Sequence, residues 1–127
     1  MATLTTIEKQ TLEKLFQMSS GFVLDFYDRT MREFFRDDVG VDIYNEKYNY
    51  ASGSKANRMR GFWLKADEKL VGKSILKLTE YIENQILLDN LKQADFPADR
   101  MNAAKYIAAK LLGAKAREET KSQATFK

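Results

Sequence analysis

Apolar residues recur along most of this chain every three to four positions, the spacing of one helix face. Leu12, Leu15 and Phe16, with Ile7 a turn and a half earlier, predict an opening helix. Thr5 and Glu8 stand at the S/T-x-x-E spacing of a capping box, in which each side chain satisfies the other residue's free backbone N–H. Ser19-Ser20-Gly21 should close that helix, because Gly readily takes the left-handed conformation that ends one. Phe22 to Phe26 is a short apolar run without a period, either a buried extended connector or a turn of helix. Asp28 is placed to cap a second helix over Arg29 to Arg36, with Met31, Phe34 and Phe35 inward. Asp37-Asp38-Val39-Gly40 should end it.

Val41, Ile43, Tyr44, Tyr48 and Tyr50 follow in an aromatic stretch without a clear period. It reads as a packed loop with one helical turn from Asn45; a hairpin is the less favoured alternative. Ser54 should cap a helix over Lys55 to Lys65, with Met59, Phe62 and Trp63 inward. Asp67 offers the next cap. Leu70, Val71, Ile75, Leu78, Tyr81 and Ile82 then give the longest amphipathic pattern, a helix over about 67–84. Ile86, Leu87, Leu88 and Leu91 continue it or form a shorter helix. Phe96-Pro97 breaks the pattern, since a residue before Pro avoids helical dihedrals. Pro97 suits the first turn of a last helix to about Leu112, carrying Met101, Tyr106, Ile107 and Leu111, with Gly113 at its end. The expected fold is all-α, one compact domain of five or six helices over residues 1–117. A polar tail, expected to be flexible, follows over 118–127.

Composition agrees and removes whole classes of chemistry. At 127 residues the chain fits one domain, and six Gly with one Pro are too few for a strand-and-turn fold. It has no Cys and no His. Thiolate or imidazole catalysis, structural zinc and any metal bound through His or Cys are therefore excluded. No apolar run approaches a membrane span or a signal sequence, so a cytoplasmic protein without membrane contact is expected. The net charge of +3 is uneven, −3 over residues 1–50 and +6 over residues 51–127.

Few constellations suggest chemistry. Asp37-Asp38 and Glu118-Glu119 are sequence neighbours, whose side chains diverge on a helix. Gly72-Lys73-Ser74 lacks the earlier Gly of a phosphate loop, Asp67 standing there, and lies within a helical pattern. No catalytic residue, metal or cofactor is expected, carboxylate-only or Mg-dependent chemistry being what the composition leaves open. The densest stretch runs from Ser54 to Trp63, where Lys55, Arg58 and Arg60 flank Asn57. Lys65, Lys69, Lys73 and Lys77 follow at intervals of four and would extend a basic stripe if the two helices were continuous. Such a stripe could hold phosphates. The favoured alternative is that Phe62 and Trp63 are core, Arg58 or Arg60 pairs with an acid such as Asp28 or Asp42, and the lysines are solvated.

Residues 18–63 carry a resemblance. Met18 to Phe26, Asp28-Arg29-Thr30, Glu33-Phe34-Phe35, Val41-Asp42-Ile43-Tyr44, Lys47-Tyr48 and Ser54-Lys55-Ala56-Asn57-Arg58 stand in an order and spacing that resemble AbiJ-type N-terminal domains. These are helical modules of bacterial abortive-infection proteins, which act in phage defence. Met31 replaces a usual aromatic and Gly61 a usual Ala. The resemblance implies a module preceding an effector, often a HEPN-type RNase, that senses or recruits. The HEPN motif needs His, so the implied role is the accessory module and not the nuclease.

Two functions follow. One is a non-catalytic interaction or sensor module whose partner is another protein or an effector domain. The other is a nucleic-acid-binding helical domain using a basic surface around residues 55–77. The expected contact residues are Asp28, Arg29, Lys55, Asn57, Arg58, Arg60 and Lys65.

Overall fold

A computed structural model describes residues 4–113; the expected tail at 118–127 lies outside them. Among the described residues five α-helices form one domain: α1 (Thr6–Leu15), α2 (Asp28–Phe34), α3 (Lys55–Lys65), α4 (Glu68–Leu87) and α5 (Ala98–Leu112). No strand occurs among the described residues, in agreement with the all-α expectation. The antiparallel pair α4 and α5 is the largest contact, α1 lies on α5, and α3 packs on a 3₁₀ turn at Glu46–Tyr48.

Local signals set most boundaries. The capping box forms, with Glu8 N–H donating to Thr5 Oγ1 at 3.1 Å and Thr5 N–H to Glu8 Oε1 at 2.9 Å. Ser54 Oγ accepts from Asn57 N–H at 3.1 Å, and an Asp67 carboxylate oxygen from Lys69 N–H at 3.0 Å. Asn45 caps the 3₁₀ turn through Lys47 N–H at 3.0 Å. The apolar face of α4 then buries Val71, Ile75, Leu78 and Ile82, against Met101, Ala104, Ile107 and Leu111 of α5. Each large side chain so buried contributes roughly 1.5–3 kcal/mol relative to exposure.

Several expectations are corrected. α1 stops at Leu15, because Gln17 turns left-handed (φ 56°), which swings Phe16 and Met18 into the core. Gly21 (φ 85°) makes a separate turn whose carbonyl accepts from Ala56 N–H at 3.0 Å, joining this connector to α3. Asp28 is the first residue of α2 and not its cap. The cap is Tyr27, whose N–H donates to Thr30 Oγ1 at 2.9 Å. After Phe34 the chain widens into a π-helical turn at Phe35–Val39, closed by Gly40 N–H to the Phe35 carbonyl at 2.7 Å. α4 ends at Leu87, so Ile86 and Leu87 continue it, the first of the two readings of that segment. Ile7 and Tyr106, placed on inward stripes by their spacing, are 75% and 53% exposed. Pro97 precedes α5 as its cap residue and is not inside its first turn.

Two glycines inside helices mark close approaches. A Cβ on Gly61 would stand 1.9 Å from the Tyr48 carbonyl oxygen, so α3 rests directly on the backbone of the 3₁₀ turn. A Cβ on Gly72 would stand 3.0 Å from the Ala108 carbonyl oxygen, where α4 meets α5. The Gly61 contact brings the 42–50 loop, and with it Tyr44, beside α3.

Candidate interaction surface

Tyr44 is the centre of a cluster built from α2, the 42–50 loop and α3. Asp42 Oδ1 accepts from the Tyr44 backbone N–H at 3.1 Å, which fixes the turn from which the ring projects. The Tyr44 hydroxyl donates to Asp28 Oδ1 at 2.7 Å. The guanidinium carbons of Arg32 and Arg58 lie 4.7 and 5.1 Å from the ring centre. Such contacts are worth about 0.5–1 kcal/mol each at exposed sites. Arg58 is also tied through Nη1 to Asn49 Oδ1 at 2.6 Å and to the Asn45 carbonyl at 3.3 Å. Its Nε is buried with no partner among the described residues. Burial, reinforced by the hydrogen bond to Asp28 and the Asp28 charge, pushes the Tyr44 phenol well above its ordinary value. Arg32 and Arg58 oppose that shift without cancelling it.

The other expected contact residues divide into separate environments. Arg60 donates through Nε and Nη2 to both carboxylate oxygens of Glu13, at 3.2 and 3.0 Å, and through Nη1 to Asn57 Oδ1 at 2.8 Å. Asn57 in turn donates to Ser52 Oγ at 2.9 Å. This half-buried fork joins α3 to α1 and is structural in geometry. Arg29 pairs with Glu33 at 3.2 Å one turn along an exposed face of α2. The Lys55 ammonium lies 5.0 Å from the Phe22 ring centre, and Lys65 is exposed in the last turn of α3.

Of the seven residues, Asp28 and Arg58 are brought together, through Tyr44. Asn57 and Arg60 meet each other, while Arg29, Lys55 and Lys65 stand apart. The expected pairing of Arg60 with an acid is present, but the acid is Glu13, not Asp28 or Asp42. Arg58 pairs with neutral groups. Arg58 and Arg60, two positions apart on a helix, point about 200° apart and cannot share one face. The basic stripe is also interrupted, because Ala66 is extended (ψ 159°) between α3 and α4.

Sequence reasoning omitted Arg32 and Tyr44 from the contact residues. The signal for Arg32 was present, since it follows Asp28 by four residues and therefore shares its side of α2. Nothing local places Tyr44 against that side. Elsewhere, Asp25 accepts from the Tyr81 hydroxyl at 2.5 Å and from Gln85 Nε2 at 2.8 Å, tying the Val23–Phe26 connector to α4. Among the described residues no three acidic side chains converge as metal ligands, and no helix is long and apolar enough to cross a membrane. No family model, curated protein or solved structure matches the chain.

Proposed function

We propose that this chain is a non-catalytic interaction or sensor module of a bacterial phage-defence system, acting in the cytoplasm. In this proposal it meets a protein partner or effector domain through the Arg32–Tyr44–Arg58 surface. The observation that carries the contact surface is the two guanidinium groups held against one tyrosine. Neither has an ion-pair partner among the described residues. Asp28, the acid of the cluster, is engaged by the Tyr44 hydroxyl. A preorganised tyrosine with flanking arginines has the residue chemistry of an interface anchor, offering apolar area and unused N–H donors at low ordering cost. The defence setting rests on the resemblance of residues 18–63 to AbiJ-type domains.

Nucleic acid is the weaker alternative. Arg60 is committed to Glu13, Arg58 points away from it, and the break at Ala66 separates Lys65 from the α4 lysines. A phosphate-tracking groove needs those cations on one face.

Arg32→Gln is the direct test, because Arg32 is exposed and, among the described residues, makes only the ring contact. Cells carrying the native locus with this change, or with Arg58→Gln, should lose protection against phage while the purified variants keep a wild-type circular dichroism spectrum. Full protection with both variants would remove this surface from the function. Binding of a 20-nucleotide RNA, with a log–log salt slope of about −0.7 per phosphate contact, would favour the alternative.

A further inference from the structure

We propose that the exposed face of α4 at Lys69–Lys77, with Leu112 of α5, docks an acidic amphipathic helix of a protein partner. It is a second contact surface, formed by other residues than the Tyr44 cluster and argued independently of it. A shallow groove of about 450 Å³ runs here, with Leu70, Leu76 and Leu112 exposing apolar surface between lysine side chains. The groove owes its shape to Gly72. The absence of a Cβ there lets Leu112 Cγ come within 3.0 Å of the position that atom would take, so α5 ends beside α4.

Charge selects the occupant. Lys69, Lys73 and Lys77 recur at intervals of four, about 6 Å apart along the helix axis. Lys77 is partly neutralised by Glu80 at 3.5 Å. Lys69 and Lys73 are exposed and have no ion pair among the described residues. Asp67 does not neutralise them by contact, since its carboxylate caps the first turn of α4. A facing helix that places Leu-like residues at i, i+3 and i+7 would cover the three leucines. Glu or Asp at two flanking positions four residues apart would meet Lys69 and Lys73 in register. Phosphates would satisfy the lysines but leave the leucines exposed, which is why a peptide suits the groove better than a nucleic acid.

The test uses the full chain with Lys77→Cys carrying a benzophenone, which leaves Lys69 and Lys73 in place, beside the unmodified protein. The probe is a labelled 16-residue helical peptide with that leucine spacing and Glu flanks, compared with a peptide carrying Lys in place of Glu. Fluorescence anisotropy should show the Glu peptide binding the unmodified protein about tenfold more tightly, the sum of two exposed ion pairs. Lys69→Glu with Lys73→Glu should reverse the order. The benzophenone should cross-link to the Glu peptide. Equal binding of the two peptides overturns the proposal. So do cross-links to residues 114–127 or to a second copy of the chain, which would assign the groove to those occupants, and so does displacement of the Glu peptide by a 20-nucleotide RNA.

Discussion

Replacing Gly61 by Ala sets two effects of opposite sign against each other. Helix propensity alone favours Ala by about 1 kcal/mol at an interior helical position. The fold places the new methyl 1.9 Å from the Tyr48 carbonyl oxygen, 2.8 Å from its carbon and 3.1 Å from Tyr50 Cβ. Ordinary C···O contacts begin at about 3.3 Å, so α3 and the 3₁₀ turn must part by roughly 1 Å. The obstructing atoms are backbone, and no rotamer change relieves them. Overpacking of this kind costs about 3 kcal/mol or more, leaving a net loss of about 2 kcal/mol after the propensity gain. For a domain of this size that lowers Tm by roughly 10 °C. Calorimetry and urea unfolding of Gly61→Ala measure it directly. Gly72→Ala is the control, since its contacts of 3.0 to 3.1 Å need shifts of only tenths of an ångström. It should stay within about 1 kcal/mol of wild type. A Gly61→Ala protein as stable as wild type would refute the close approach of α3 to Tyr48, and with it the placement of Tyr44 beside Arg58.

Other consequences are equally measurable. Burial alone would raise the Glu8 carboxyl, but the Lys110 ammonium at 2.6 Å and the Thr5 backbone N–H outweigh it and hold it below its ordinary value. Its stabilisation is therefore present above about pH 4.5 and lost as pH falls through the lower folded value. Glu8→Gln should cost about 1 kcal/mol at pH 7 and progressively less in acid, as read from urea midpoints. Tyr44 and Tyr81 have phenols raised by burial first and then by hydrogen bonds to Asp28 and Asp25. Their stabilisation is present below pH 10 and falls as pH rises beyond it, and Tyr44→Phe with Tyr81→Phe should flatten that fall. Arg60→Ala should destabilise by roughly 1–2 kcal/mol, because it strands a half-buried Glu13. A double-mutant cycle with Glu13→Gln should return most of that as coupling. Arg32→Gln should lower Tm by no more than about 5 °C, since one exposed ring contact of about 0.5–1 kcal/mol is what it removes.

The sequence was most informative where the physics is local. Thr5, Ser54 and Asp67 act within three residues of themselves, and each cap stands where its neighbours predict. Asp28 was misassigned because Thr30, two residues on, satisfies the Tyr27 N–H and moves the helix start back one position. The end of α1 was missed because Gln17, a residue with no special left-handed tendency, takes that conformation so that Phe16 and Met18 can be buried. Tertiary packing overrides propensity there. The π-helical turn at Phe35–Val39 leaves no spacing signature. At the candidate surface, the residue types were legible but their partners were not. Glu13 meets Arg60 from 47 positions away, and Tyr44 meets Asp28 from 16. Gly61 and Gly72 did carry a usable hint, since a glycine inside a helical pattern without a turn to make signals a close neighbour.

The proposed face that meets a protein partner is formed by Arg32, Tyr44 and Arg58. Its most direct measurement is NMR of the isotopically labelled full chain titrated with the product of the adjoining reading frame in the native locus. Binding should shift the Arg32 and Arg58 side-chain Nε–H signals and the Tyr44 ring signals, with the Arg60 Nε–H signal unmoved in its pair with Glu13. Shifts confined to other surfaces, with the Arg32, Tyr44 and Arg58 signals unchanged at saturation, would contradict it.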